Sequence, residues 1–377
     1  MAKHKHLFDI KAVLSILFGV MIFWQPNNPT NLLAQTEPVP VFERDSSWPK
    51  PLPNNWRLGI VWGVAVDSKD NVWVLHAADN YRDEIDDESK VPAPPVIAFD
   101  PEGNLIQAWG GRDQGFPWFY RMDSGRFSRS DPHPHPVREH ALNVDHNDNI
   151  WISGGGHLVL KFSPEGKFLL QLGELGKTSG SNHTRHLGNP SNVDFDARTN
   201  EVYVADGYIN KRVIVFDADT GAYKRHWGRY GDAPDDSFEA GERPAWDDLP
   251  GPTGLFPRFA HGANIANDGL VYVADRAHNL IHIYQPDGTF VSEAATPGPV
   301  NSVAFSHDQN QYYLYGAGIN EVGKIYIMRR SDLAVLGEFD SSGQHFFDTD
   351  SQGNLFTCGL FLPEKHTLKE MPAIPTR

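Results

Sequence analysis

Cysteine is almost missing from this chain: Cys358 stands alone among 377 residues, which excludes an intrachain disulfide. Basic charge is in deficit, with 33 Lys and Arg against 48 Asp and Glu and a net charge of −15. Such a surface repels phosphate backbones, so nucleic acid is not an expected partner. No stretch carries the 3.6-residue apolar period of a helix of useful length. Long apolar runs are scarce as well. The stretch "AVLSILFGVMIFW" at 12–24 follows Lys3, Lys5 and Lys11, and falls short of the roughly 20 residues a membrane span needs. A basic start, a short apolar segment and the small Ala34 before Gln35 read instead as a secretory signal over 1–34. Its removal takes away three lysines and Asp9, moves the net charge from −15 to −17, and leaves a secreted or periplasmic protein without a membrane anchor. A monomer is expected.

What is present is a repeat. Six segments share an apolar strand, a turn rich in Asp, Asn and Gly, and a second apolar strand. They begin at Trp62, His140, Ser191, His261, Asn301 and His345, as in "HALNVDHNDNIWISG" and "HGANIANDGLVYVADR". In the first five a third strand and a turn follow, as in "LVLKFSPEGKFLLQLG". Period-two alternation around such turns indicates antiparallel strands. Repeat starts 40 to 78 residues apart suit one four-stranded blade per repeat, with the excess in loops. The fold expected is all-β, a single six-bladed β-propeller over 61–362. The segment 35–60 would supply a strand that closes the last blade, and 363–377 would form a C-terminal tail. The loops 111–138 and 229–258 are too long to be plain connections.

In a propeller the first strand of each blade lines the central channel, and the residue opening each repeat lies at its mouth. Repeats two, four and six open on His140, His261 and His345. Alternate blades of a six-fold ring stand about 120° apart, so three imidazoles would aim at the axis. Three histidines with a vacant fourth position are the ligand set of a catalytic zinc. The competing reading is a polar channel that merely tolerates histidine, of which the chain has 17. His146 falls in a turn, and His133, His135, His183 and His186 fall in loops. The acidic turns "DSKDN" and "DHNDN" lack the spacing and final Glu of an EF-hand and read as hairpin turns.

Four stretches in order, "HALNVDHNDNIWI", "VYVADGYINKRVIVFD", "FAHGANIANDGLVYVADRAHNLIHIY" and "QHFFDTDSQGNLF", resemble the peptidyl-α-hydroxyglycine α-amidating lyase family, a branch of the NHL-repeat propellers. The resemblance runs from about residue 60 to 360. It implies cleavage of a peptide whose C-terminal glycine is hydroxylated at Cα, giving a peptide amide and glyoxylate. It implies zinc on His140, His261 and His345, and a catalytic tyrosine at Tyr208. Arg276 matches an arginine of the family's active-site region. A phenol titrating near 10 needs a nearby cation to act as a base at neutral pH, which Arg212 or Arg276 would supply.

The departures are specific. Where the family carries an arginine directly after a histidine, this chain has His76 followed by Ala77, with Arg82 five residues beyond. The family's Met-Pro-His-Asp is replaced by Gly343, Gln344, His345 and Phe346, which removes the aspartate tied to a structural calcium (Ca2+). The family's disulfide cysteines are absent. Two functions therefore compete: an exported zinc (Zn2+) lyase acting on a peptide or small hydroxylated molecule, and a non-enzymatic NHL propeller that binds a peptide or protein. A lactonase-type hydrolase would favour carboxylate and Asn ligands around calcium, against the three-histidine mouth.

Overall fold

A computed structural model describes residues 37–78, 89–111, 115–116, 118–119, 139–237, 260–318, 323–359 and 362–374. The signal segment 1–34, Arg82, His133 and His135, and most of the two long loops lie outside the described residues. From Pro38 onward the chain forms six four-stranded antiparallel sheets, each one blade. The innermost strands are Ile60–Val66, Glu139–Val144, Asn192–Asp196, Gly262–Ile265, Val300–Phe305 and Gly343–Thr349. The protein is a six-bladed β-propeller.

Each blade follows its hydrophobic pattern outward. Second and third strands such as Val72–Ala77 and Leu158–Phe162 are buried at every position because both faces meet a neighbouring blade. The fourth strands, such as Leu105–Trp109, alternate and face solvent. The core is therefore divided into six clusters between adjacent blades. One of them packs Trp73 and Leu75 of the first blade against Leu142, Ile152 and Phe162 of the second. Each fully buried aliphatic or aromatic side chain contributes roughly 1.5–3 kcal/mol of transfer free energy.

The acidic turns serve the hairpins. Asp67 accepts from the backbone N–H groups of Lys69 and Asn71 and from Trp73 Nε1, at 2.9–3.0 Å. Asp145 repeats this with Asn147, Asn149 and Trp151 at 2.9 Å. Turn-to-turn bonds also tie neighbouring blades: Ser68 donates to Asp148, and Ser351 donates to Asp70.

The sixth blade closes the ring. Its four strands run Gly343–Thr349, Leu355–Gly359, Pro363–Glu370 and then Val41–Arg44 from the other end of the chain. The segment 363–377, expected as a tail, is thus in large part the third strand of this blade. Its alternation is hidden because the inward positions are polar. Glu364 and His366 are each 3% exposed and lie 3.5 Å apart, and Glu364 also meets Arg44 of the closing strand at 2.6 Å.

Candidate metal centre at the channel mouth

His140, His261 and His345 lie at the starts of the inner strands of blades two, four and six, His261 directly before its strand. Their ligand nitrogens all lie within 4.8 Å of one another, within rotamer adjustment of the roughly 3–4 Å that nitrogens on one zinc require. The intervening blades set the orientation. His140 Nδ1 donates to the Ser191 carbonyl at 2.8 Å, and His261 Nδ1 donates to the Asn301 carbonyl at 2.8 Å. His345 Nδ1 donates to the Trp62 carbonyl at 2.7 Å. The odd repeats thus hold, through their own opening residues, the imidazoles of the even ones. Each bond places the proton on Nδ1 and makes Nε2 the nitrogen with the lone pair that a ligand bond would use. Gly262 permits the approach, since a Cβ there would lie 2.8 Å from the Asn301 oxygen.

Electrostatics favour a neutral ring at His261. Burial holds the His261 imidazole well below its ordinary range, with Arg276, His140 and His345 adding to the shift. Beneath the triad lies Phe346, whose ring sits 4.3–5.6 Å from the three imidazole centroids and parallel to His261. The position where the resemblance implies a calcium-binding aspartate therefore carries an apolar floor. Neutral, preoriented imidazoles over an apolar floor fit a zinc ion.

The Tyr208 hydroxyl lies 2.8 Å from His140 Nε2 and 3.2 Å from His261 Nε2. Arg276 donates to that hydroxyl at 3.3 Å and to the Asn301 side-chain oxygen at 2.9 Å. Asn301 thus steadies a triad histidine through its carbonyl and the cation through its side chain. The repeat alignment places Asn301, Ser191 and Trp62 at the mouth, but gives no sign that their carbonyls carry the orientation.

Arg212, the other arginine expected beside Tyr208, is wholly buried and has another task. Its Nε and Nη2 meet Asp206 at 3.0 Å, while the remaining donors reach the carbonyls of Ser181, His183 and His186 at 2.6–2.7 Å. Four hydrogen bonds and an ion pair thus hold the guanidinium in place. Asp206 also accepts from Gly188 and Asn210 at 2.7 Å, so Arg212 secures the loop that presents Tyr208. His76 is a core residue: Nδ1 accepts from the Gly59 N–H, Nε2 donates to the Pro94 carbonyl, and burial lowers it to about 4. His183 and His186 stack on each other, with centroids 4.1 Å apart, in the loop that Arg212 holds.

No protein-family model matches the chain. Rat peptidylglycine alpha-amidating monooxygenase is 27% identical over 242 residues, 61% of this chain but only 21% of that protein. The Drosophila melanogaster peptidyl-alpha-hydroxyglycine alpha-amidating lyase 2 is 30% identical over 191 residues, 50% of this chain and 42% of that one. Human NHL repeat-containing protein 3 is 24% identical over 317 residues, 81% of this chain and 74% of that one. A solved structure of streptogramin B lyase aligns with a TM-score of 0.47 at 11% identity, covering 87% of this chain and 98% of that one. The chain spans about a fifth of the length of the rat enzyme it matches. Fold and site together define a six-bladed propeller with a histidine-lined mouth. Within that class the chain resembles the peptidyl-α-hydroxyglycine α-amidating lyases and their NHL-repeat relatives.

Proposed function

We propose that this chain is a zinc-dependent lyase that cleaves the C–N bond of a peptidyl-α-hydroxyglycine. The observation that carries the reading is the convergence of three Nδ1-protonated imidazoles on one another, two of them in contact with a tyrosine hydroxyl that a guanidinium also reaches. His140, His261 and His345 would hold the ion through Nε2. When bound, zinc supplies Lewis acidity toward the substrate hydroxyl. Tyr208 is placed to take the hydroxyl proton as general base. Arg276 sets positive charge beside the oxygen on which phenolate charge develops. Loss of that proton lets the carbinol oxygen form a carbonyl as the C–N electron pair leaves with nitrogen. The amide nitrogen takes up a proton, and the products are a peptide amide and glyoxylate.

Glyoxylate release from a peptide ending in α-hydroxyglycine tests this reading. The zinc-loaded protein should turn over, and Tyr208→Phe should lose roughly 10²–10⁴-fold in rate while keeping its zinc. An undiminished rate in that variant would remove Tyr208 as the base. The length of the match to human NHL repeat-containing protein 3 supports a second reading, a propeller that only binds a peptide or protein. Zinc-loaded parent protein that releases no glyoxylate would favour it.

A further inference from the structure

Below Phe346 the channel changes character. Three residues beyond each opening position the six repeats carry Ala65, Asn143, Asp194, Asn264, Ala304 and Asp348, and all six line a cavity of about 260 Å³. Asp194 and Asp348 come from blades three and six, which stand opposite in a six-fold ring. Each is oriented by two backbone N–H groups: Phe195 and Ile265 donate to Asp194 at 2.8 Å, and Thr349 and Val66 donate to Asp348 at 2.8–2.9 Å. These bonds fix the carboxylates without neutralising them. Among the described residues the cavity lining contains no lysine or arginine, and its one basic side chain is the exposed His307.

A second observation points the same way. Asn192 is 1% exposed and lines the same cavity. Its Nδ2 donates to Asn143 Oδ1 at 3.3 Å, while its own Oδ1 is buried with no hydrogen-bond partner. A buried acceptor left without a donor is destabilising, and buried carboxylates without countercharge are more so. Water would answer the amide oxygen but not the two charges. An ion that prefers oxygen answers both.

We propose that the lower channel is a second binding site, for a hydrated hard divalent cation, calcium or magnesium, held between Asp194 and Asp348 with the Asn192 oxygen in its reach. Carboxylate and amide oxygens are the donor set of such ions, whereas the nitrogen donors above Phe346 suit zinc. The site uses neither the histidines nor the position of Phe346, and it does not depend on the lyase reading. Protons compete for it. Burial raises Asp194 to about 7 and Asp348 to about 6, with Asp348 adding to the shift of Asp194 and Asp350 to that of Asp348, while His307 acts against it.

The test is calorimetric titration of the full chain, loaded first with one equivalent of zinc, with calcium and separately with magnesium at pH 7.5. One further equivalent should bind. Affinity should fall at least tenfold in Asp194→Asn and in Asp348→Asn, both of which retain an oxygen to accept the backbone N–H groups. It should also fall at least tenfold at pH 5.5, where both acids are largely protonated. Apo His140→Ala should still bind the hard cation, which separates this site from the zinc site. Absence of binding to the parent at millimolar calcium and magnesium overturns the proposal. So does unchanged affinity in an Asp194→Asn, Asp348→Asn double variant whose melting temperature shows it folded.

Discussion

The two ends of the channel are built from the same six strands and carry opposite chemistry. At the mouth, the opening residues of alternate repeats supply neutral imidazoles, each aimed by a backbone carbonyl of the next blade. Three residues further along, the same strands supply carboxylates aimed by backbone N–H groups of the next blade. The backbone of one blade thus orients the side chains of its neighbour at both levels, by acceptor above and by donor below. Phe346 divides them, touching the triad on one side and lining the cavity on the other. A repeat can therefore hold two sites of different ligand preference without a second domain.

The largest expected effect breaks the upper end alone. His261→Ala removes one of three nitrogen ligands, and structural zinc affinities of about 10–16 kcal/mol spread over four ligands imply a loss of roughly 10²–10³-fold per ligand. Equilibrium dialysis should show zinc lost at micromolar concentration and glyoxylate release at background. Binding of the hard cation below Phe346 should change less than twofold. A parallel loss at both ends would show that the levels are not independent.

Next in size is the support of Tyr208. Arg212→Met leaves Asp206 buried without its cation, and breaking a buried pair from one side costs about 3–5 kcal/mol. Urea denaturation should register that loss. Arg276→Met, at a half-buried position, should lower turnover and leave stability within about 1 kcal/mol. Equal stability losses in the two variants would contradict the division of labour between these arginines.

Much of this was legible in the sequence, and the reason it stops is physical. Short apolar strands and the turn residues between them suffice for six blades, because strands such as Val72–Ala77 and Leu158–Phe162 are buried on both faces. His140, His261 and His345 stand out because they recur at one repeat position. Strand alternation, however, puts residues three apart on opposite faces, so the alignment gives no hint that His345 and Asp348 share the channel. The structure reconciles them with a register shift at the opening position, between Val61 and Gly63, Glu139 and Ala141, Val300 and Val303, and Gly343 and Phe347. Such a bulge re-aims one side chain and restores the alternation after it. The third strand of the sixth blade escaped for a different reason, since Glu364 and His366 occupy inward positions that pattern reading reserves for apolar residues.

The smallest effect sharpens the comparison through pH. Folding raises Asp348 to about 6 and Asp194 to about 7. Their contribution is therefore fully present below about pH 4 and lost as pH rises through 6 to 7 in the metal-free protein. His76 has the opposite sign: its folded value of about 4 lies below that of a free imidazole, so its contribution is present above about pH 6.5 and lost on descent toward 4. Shifts of two to three units are worth about 3–4 kcal/mol each, so the terms partly cancel between pH 4 and 6.5 in the parent chain. Asp348→Asn removes one of them. Metal-free Asp348→Asn should gain stability relative to the parent as pH rises from 4 to 7, by an amount approaching 3 kcal/mol in urea titrations. Calcium should shrink the gap at pH 7 by stabilising the parent more than the weaker-binding variant, because a ligand bound to the native state stabilises it by mass action. If the gap does not grow with pH, the Asp348 carboxylate is already neutralised within the protein, and the lower channel has no charge for a cation to answer.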